Sequence, residues 1–226
     1  MQKPKYVCDK CHKVYVREKA YMSHECKQMK RELELKSPQG QTAWNYYQLW
    51  MRQKNRIPPS ASAFLTSNYY RTFINFVQFS IKVKLPMPEK FIWFMVKRDF
   101  PPTMWINDEV YVQYINFIDN DVDPIVQVTL SMNTILKYAD NQHIDVSDIF
   151  TVMPANELLY LIRVRQISPW LLLLSKKFKQ MVSDLSHEQQ AILETLIRPE
   201  YWGDKLLDTP TQIRDKIKEC VAALEI

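Results

Sequence analysis

Glycine is nearly absent from this chain, which has only Gly40 and Gly203 among 226 residues, against thirteen prolines. Loops that cradle phosphate groups, and turns that bind dinucleotides, need glycine because the backbone must approach the ligand closely. The sequence has neither a Walker-type loop nor a GxGxxG turn. This scarcity excludes the common nucleotide-binding folds that depend on such loops.

Long apolar runs are also missing. The longest strongly apolar run, Trp170 to Leu174, has five residues, whereas a membrane-spanning helix needs about 20. The basic N-terminus is not followed by the apolar core of a signal peptide. We therefore expect an intracellular protein of the cytoplasm or nucleus, with no membrane partner.

Cysteine is too sparse and too clustered for a disulfide framework. Cys8, Cys11 and Cys26 crowd into one short segment, and Cys220 stands alone in a predicted C-terminal helix. Small proteins held by disulfides distribute even numbers of cysteines along the chain. The pattern favours a reducing compartment.

Positive charge is confined to the N-terminal segment. Residues 1–36 hold ten Lys or Arg against five Asp or Glu, a net charge of +5, and the whole chain also carries +5. Residues 37–226 are therefore neutral, with twenty groups of each sign. The sequence places any surface that attracts a polyanion at the N-terminus.

Helical patterns dominate after residue 36. Trp44, Tyr47 and Met51 are spaced by three and four residues, which is one face of a helix. Neither an Asn-Gly turn nor a sustained alternating pattern follows residue 20, so strands are predicted only in the N-terminal segment. Three helix starts combine a capping residue with proline at the first helical position. These are Asp123 with Pro124, Ser168 with Pro169, and Thr209 with Pro210.

The predicted architecture is mainly α, with an N-terminal ββα module at residues 1–36 and an all-α domain at residues 37–226. The segment from Lys36 to Gln41 contains proline, glycine and small polar residues, and it is the predicted linker. A single long helix is expected from about Ser62 to Val83. We expect about eight helices in the second part of the chain.

The N-terminal segment contains a candidate metal site. Two residues separate Cys8 from Cys11, a spacing at which a tight turn brings two thiolates to one metal ion. Twelve residues separate Cys11 from His24, and Tyr15 and Tyr21 lie within that gap. The next possible ligand is Cys26, two residues after His24.

Residues 6–26 resemble the Cys2His2 zinc finger family. The resemblance implies a β-hairpin that carries the CxxC pair, a helix that supplies His24, and a small core of Tyr15 and Tyr21. It also implies one structural Zn2+ held by Cys8, Cys11, His24 and Cys26. The chain departs from the family at Cys26, because two positions on a helix point about 200° apart. The helix must therefore end or distort at His24, as in shortened CCHC variants.

The resemblance further implies contacts with nucleic acid, and we expect DNA rather than RNA. The family's base-reading positions correspond here to Arg17, Lys19, Ala20 and Ser23, and arginine is the residue type that reads guanine. Lys27, Lys30 and Arg31, together with Lys3, Lys5 and Lys13, could bind phosphates. One finger covers about three base pairs, which favours recruitment over sequence-specific repression.

Alternatives stay open for the cysteine segment. The sequence CDKCH also fits covalent haem attachment with His12 as the axial ligand. A reactive dithiol and plain free cysteines are further possibilities. The lysines could also serve only to keep a small exposed module in solution.

Other patterns favour ordinary structural roles. The aspartates 119, 121 and 123 lack the glycine of a calcium loop, so Asp123 is predicted to be a helix cap. The stretch WNYYQLWMRQKNR could stack nucleic-acid bases or pack its rings inward, and the core interpretation is favoured. Arg163 and Arg165 are expected to pair with acids on a core helix.

The leading hypothesis is a zinc-containing nucleic-acid-binding accessory protein whose helical domain contacts a protein machine. One alternative is an enzyme that acts on nucleic acid, with acidic residues such as Asp108, Glu109, Asp119 and Asp121 around a metal ion. Another is a structural protein that uses the finger as a protein-binding clip. The abundance of Lys, Asn, Ile and Tyr with little Gly suits a low-GC genome and favours a viral source.

Overall fold

The computed structural model describes residues 6–226, and it is mainly helical with a small hairpin at its start. Strand β1 (Tyr6–Val7) pairs antiparallel with β2 (Val14–Tyr15), and Tyr6 lies opposite Tyr15. These are the only strands in residues 6–226, as the sequence predicted. No helix in the same range is long and apolar enough to cross a membrane.

Fifteen α-helices and two short 3-10 helices, Pro102–Met104 and Val146–Asp148, follow the hairpin in the described chain. The α-helices are α1 (Glu18–Met22), α2 (Lys27–Leu35), α3 (Pro38–Gln53), α4 (Ala61–Thr66), α5 (Tyr70–Lys82), α6 (Pro88–Lys97), α7 (Asp108–Asp121), α8 (Pro124–Gln142), α9 (Ile149–Val152), α10 (Ala155–Arg163), α11 (Pro169–Leu172), α12 (Lys176–Ser183), α13 (His187–Ile197), α14 (Pro199–Asp208) and α15 (Thr211–Ala223).

Thirteen of these helices follow Lys36, where about eight were expected from the pattern of start and stop signals. The physical reason is that helices end here without glycine. Asp99, His143 and Arg198 each follow or end a helix with a positive φ, between 47° and 55°. Glycine normally occupies such left-handed positions because it has no Cβ. The sequence therefore carries few visible stop signals.

Contacts divide the chain into two compact units, which are described separately. The first unit comprises Met1–Val83 and Met87–Tyr111, and the second comprises Lys84–Pro86 and Val112–Ile226. The first holds eighteen Lys or Arg and nine Asp or Glu, a net charge of +9, and the second holds twelve and sixteen, a net charge of −4. Positive charge therefore extends past residue 36 into the helices of the first unit.

The predicted linker at residues 36–41 is wrong, because this segment begins α3. The hydroxyl of Ser37 accepts a hydrogen bond from the Gly40 backbone N–H at 3.0 Å, and Pro38 takes the first helical position. Serine followed by proline is a strong helix start. Gly40 lies so close to the end of α2 that a Cβ there would be 2.1 Å from the Glu34 carbonyl oxygen.

Aromatic side chains form the core of the first unit. Tyr47 and Trp50 of α3 are buried, and the Tyr47 ring stacks on Phe64 at 4.9 Å between centroids. Trp105 is fully buried, with its ring edge-on to Phe73 at 5.4 Å. The aromatic and basic stretch of α3 thus contributes rings to the core, as the favoured interpretation predicted.

The single helix predicted from Ser62 to Val83 is two helices, α4 and α5. Ser67 between them has an extended backbone with ψ of 145°. Its hydroxyl accepts a hydrogen bond from the Tyr69 N–H at 2.9 Å. Serine side chains that bond the nearby backbone compete with the helix, and this competition explains the break.

Helix caps in the second unit mostly follow the sequence. Asp123 and Ser168 cap α8 and α11 as predicted, and Ser186 with Gln189 forms a capping box at the start of α13. The prediction for Thr209 is wrong. Its hydroxyl donates to the Lys205 carbonyl at 2.7 Å, and α15 begins after Pro210. Threonine commonly makes this bond to the carbonyl four residues earlier.

A buried ion pair lies in the second unit. Arg165 donates two hydrogen bonds to the Asp119 carboxylate, at 2.7 and 2.8 Å, and both side chains are at least 95% buried. Arg198 adds a third contact to Asp119 at 3.1 Å. The predicted pairing with an acid is confirmed for Arg165, whereas the exposed Arg163 forms no ion pair with another residue of the described chain. Trp170 and Trp202 are fully buried in the same unit, with ring centroids 5.0 Å apart.

The two glycines give opposite predictions for replacement by alanine. Gly203→Ala should stabilise the second unit by about 1 kcal/mol, because alanine favours the helix and a Cβ there meets no atom within 4 Å. Gly40→Ala should destabilise the first unit by about 1 to 3 kcal/mol, because its Cβ would clash with the backbone of α2. Thermal and urea unfolding measure the free energy of unfolding of both variants. A change in the same direction in both would contradict this prediction.

Removal of Asp119 should strongly destabilise the second unit. Asp119→Ala leaves Arg165 buried without its carboxylate, and breaking a buried pair in this way costs about 3 to 5 kcal/mol. The exposed Asp121 on the same helix supplies the control, since Asp121→Ala should change stability by less than about 0.5 kcal/mol. Urea unfolding compares the two, and a small effect at Asp119 would show that the pair contributes little.

Candidate metal centre

A tight turn after β1 brings Cys8 and Cys11 to one side of the hairpin. The Cys8 N–H donates to the Lys13 carbonyl at 3.0 Å, and the His12 N–H donates to the Cys8 carbonyl at 2.8 Å. His12 takes a left-handed conformation, with φ of 54°, which closes the turn. Its side chain is exposed and does not join the cysteine cluster, so the haem alternative gains no support.

Helix α1 ends before the third ligand. It stops at Met22, Ser23 follows as its C-cap, and the His24 N–H donates to the Tyr21 carbonyl at 3.1 Å. Cys26 then takes an extended conformation as the N-cap of α2. The prediction that the helix ends to let Cys26 turn back is confirmed. His24 accordingly lies just beyond the helix that the family resemblance expected to carry it.

Four side chains converge on one point. The ligand atoms of Cys8, Cys11, His24 and Cys26 all lie within 4.8 Å of one another, and the Cys11 Sγ is 3.2 Å from the His24 Nε2. Cys8 and Cys26 are 6% and 5% exposed. A tetrahedral ion with bonds of about 2.3 Å to sulfur separates its ligands by about 3.8 Å. The cluster therefore fits a single four-coordinate metal ion.

Backbone N–H groups favour the thiolate form of Cys8, which is the form that binds a metal. The N–H groups of Cys11 and Lys10 lower the pKa of Cys8 from 9.0 to about 6, since they stabilise the thiolate. The Lys13 backbone also favours the Cys11 thiolate, but burial and the thiols of Cys8 and Cys26 outweigh it and raise the pKa of Cys11. Three thiolates cannot share this space without a cation, which is the charge that a bound metal would supply.

Aromatic rings pack against one another and against His24 beside the cluster. Tyr6 stacks on Tyr21 with ring centroids 5.8 Å apart, and Tyr15 lies 5.0 Å from the His24 ring. Burial raises the pKa of Tyr15, which keeps the phenol neutral beside the thiols. The predicted core of Tyr15 and Tyr21 is confirmed. Helix α1 contains no buried residue, so this segment has little other than the rings and the ligands to hold it.

Helix α2 connects the site to the aromatic helices of the first unit. Lys10 in the turn between Cys8 and Cys11 forms an ion pair with Glu32 of α2 at 2.7 Å. The Tyr70 hydroxyl donates to the Glu34 carboxylate at 2.9 Å, and burial raises the pKa of Tyr70. No pattern in the sequence predicts these contacts, because their partners lie 22 and 36 residues apart.

The predicted nucleic-acid residues fall into two groups. Arg17 precedes α1 without a side-chain capping bond, and Lys19 and Lys27 are likewise exposed. The other three make contacts within the chain: Ser23 donates to the Ala20 carbonyl, Lys30 pairs with Glu25, and Arg31 donates to the Leu65 carbonyl and stacks on the Tyr70 ring. Lys3 and Lys5 lie outside the described residues.

The acidic residues proposed for an enzyme do not form a second metal centre in residues 6–226. In that range, the cluster of Cys8, Cys11, His24 and Cys26 is the one group in which three or more potential metal ligands lie close together. Both carboxylate oxygens of Asp119 already accept hydrogen bonds from Arg165. His143 and His187 are exposed and lie outside the cluster.

Comparisons of the chain with protein-family models, with curated proteins and with solved structures found no match. The resemblance of residues 6–26 to a zinc finger therefore rests on the ligand spacing, the aromatic residues and the cluster geometry.

Loss of Cys26 should abolish stable metal binding. We expect the chain to hold about one metal ion, and Cys26→Ser to lower its affinity at least about tenfold, since a thiolate ligand is lost. Cys220→Ser is the matched control and should keep full metal content, because Cys220 lies outside the cluster. Elemental analysis and competition with a chelator measure both. Unchanged affinity in Cys26→Ser would overturn the four-ligand assignment.

Proposed function

We propose that this chain is a zinc-containing nucleic-acid-binding accessory protein that positions a protein machine, of polymerase, replication or packaging type, through its helical domain. The observation that carries the proposal is the location of a four-ligand cysteine and histidine cluster in a unit with a net charge of +9. The expected compartment, cytoplasm or nucleus, and the viral source stay predictions.

Zinc is the metal that best suits the donors. Three thiolates and one imidazole form a soft ligand set, and structural zinc sites of the Cys3His type are tetrahedral. Four protein ligands leave no open position for water or substrate. The metal would accordingly hold the fold of the segment together and take no part in catalysis.

Nucleic acid is the proposed partner of the first unit because its free cations surround the metal segment. Arg17, Lys19 and Lys27 are exposed, and none of them forms an ion pair with a residue in the 6–226 range. Helix α1 has five residues, which is short for reading several bases in a groove. We therefore propose phosphate-dominated binding with low sequence specificity, to DNA in preference to RNA.

The second unit suits a different partner. Its net charge is −4, which disfavours contact with phosphates. A protein partner for this unit fits the recruiting role better than a second nucleic-acid site. The alternative of an enzyme would need an acidic metal centre, and Asp119, one of its suggested ligands, is already bound to Arg165.

Charge reversal tests the nucleic-acid contact. The triple variant Arg17→Glu, Lys19→Glu, Lys27→Glu should bind a labelled oligonucleotide at least about tenfold more weakly, because it loses contacts with the phosphates. The slope of log affinity against log salt concentration should also become shallower, by about 0.7 to 0.9 for each lost phosphate contact. The matched control reverses three exposed lysines of the second unit, Lys137, Lys176 and Lys216, and should bind nearly as the wild type does.

Fluorescence anisotropy at about 50 and 200 mM salt, with single-stranded DNA, duplex DNA and RNA, measures these affinities. Equal affinity of the wild type and the first-unit variant would show that the metal segment does not contact nucleic acid. Metal content is measured alongside, so that a loss of zinc is not mistaken for a loss of contacts.

A further inference from the structure

An apolar groove lies on the second unit between α12, α13 and α14. It encloses about 330 Å3. Its apolar lining consists mainly of Leu173, Phe178, Val182, Leu193, Ile197 and Leu206. An open groove of this composition leaves apolar surface in contact with water, and such surfaces commonly bind a partner.

Gly203 lines this groove and has no structural reason to be glycine. It lies inside α14, where glycine costs about 1 kcal/mol relative to alanine. A Cβ at this position would meet no atom within 4 Å, in contrast to Gly40, where the backbone of α2 leaves no room. The missing side chain therefore leaves open space along this side of the groove. Four residues further on, and so on the same face of α14, Leu207 is 74% exposed.

The surroundings of the groove are acidic. Glu194 lines it, and Glu200 and Asp204 lie on α14 three residues before and one residue after Gly203. Lys179 is the basic residue of the lining. None of these four side chains forms an ion pair with another residue of the described chain. The groove thus favours a helix that has apolar anchors and positive flanks.

The chain itself carries a helix of this kind. On α2, Met29 and Leu33 are one turn apart, and they are 49% and 62% exposed. Lys36 follows α2 within one turn of Leu33, is exposed, and forms no ion pair with another residue of the described chain. Two apolar residues spaced by four are the usual anchors of a helix that binds in a groove. The charges of the two surfaces are complementary.

We propose that the groove around Gly203 binds the outward face of α2 from a second copy of this chain. In this contact Leu33 and Met29 enter the groove, while Lys36 approaches the acidic side chains of Glu194, Glu200 and Asp204. The two surfaces differ, so the contact is head-to-tail, and each copy keeps one free groove and one free α2 for further copies. This self-association goes beyond the nucleic-acid function and uses a separate surface of the second unit.

Two variants remove one surface each. Gly203→Leu fills the groove, and the open space at position 203 means that the fold need not rearrange. Leu33→Glu places a negative charge at the exposed anchor of α2. Sedimentation velocity across a wide concentration range should show that the wild type self-associates, and that high salt weakens the association. Each variant alone should associate at least about tenfold more weakly.

Mixing the two variants is the decisive measurement. The intact α2 of Gly203→Leu can still bind the intact groove of Leu33→Glu, so an equimolar mixture should form a dimer that does not grow further. The control Ala191→Leu adds the same side chain at an exposed position of α13 that does not line the groove, and it should associate as the wild type does. Circular dichroism confirms that every variant is folded.

Three results would overturn the proposal: a monomeric wild type at all concentrations, wild-type association by Gly203→Leu, or no dimer in the mixture. Oligonucleotide binding by Gly203→Leu, measured at low protein concentration, separates this inference from the nucleic-acid function. Unchanged binding by a chain that fails to self-associate would leave that function standing and remove only the head-to-tail contact.

Discussion

Cys26 occupies the position on which the first unit depends. Its thiol completes the cluster with Cys8, Cys11 and His24, and its backbone begins α2. Helix α2 then contacts the aromatic helices through Glu34, whose carboxylate accepts from Tyr70. The candidate metal site and the helix packing therefore share one short segment. Without a cation, at least some of the three thiols would have to stay protonated, and the start of α2 would lose the link to Cys8, Cys11 and His24 that a metal would supply.

The shortage of glycine shapes both units. Helices end at residues such as His143 and Arg198 in left-handed conformations that glycine usually adopts, and each carries some backbone strain. The two glycines that the chain has are used for space and not for a positive φ. Gly40 lets α2 and α3 approach closely, and Gly203 leaves open the apolar groove of α14.

Local signals predicted local features. The cysteine and histidine spacing predicted the cluster because all four ligands lie within nineteen residues, from Cys8 to Cys26. The caps at Asp123 and Ser168 were predicted because a cap bonds its own helix. The linker and the long helix through Ser67 were wrong, because proline, glycine and serine can start a helix as well as interrupt one. Only the neighbouring backbone decides which occurs.

Periodicity and short spacing were enough to predict the helical class, the position of the strands and the identity of the four potential ligands. Which charged side chains are free to bind a partner depends on contacts that form in the folded chain. Arg31 and Lys30, which the sequence grouped with Arg17 and Lys27, are engaged by Tyr70 and Glu25. The tertiary structure also decided that Asp119 is buried with Arg165, 46 residues away. Whether an ion pair is buried depends on how distant segments pack together, and no local pattern encodes that packing.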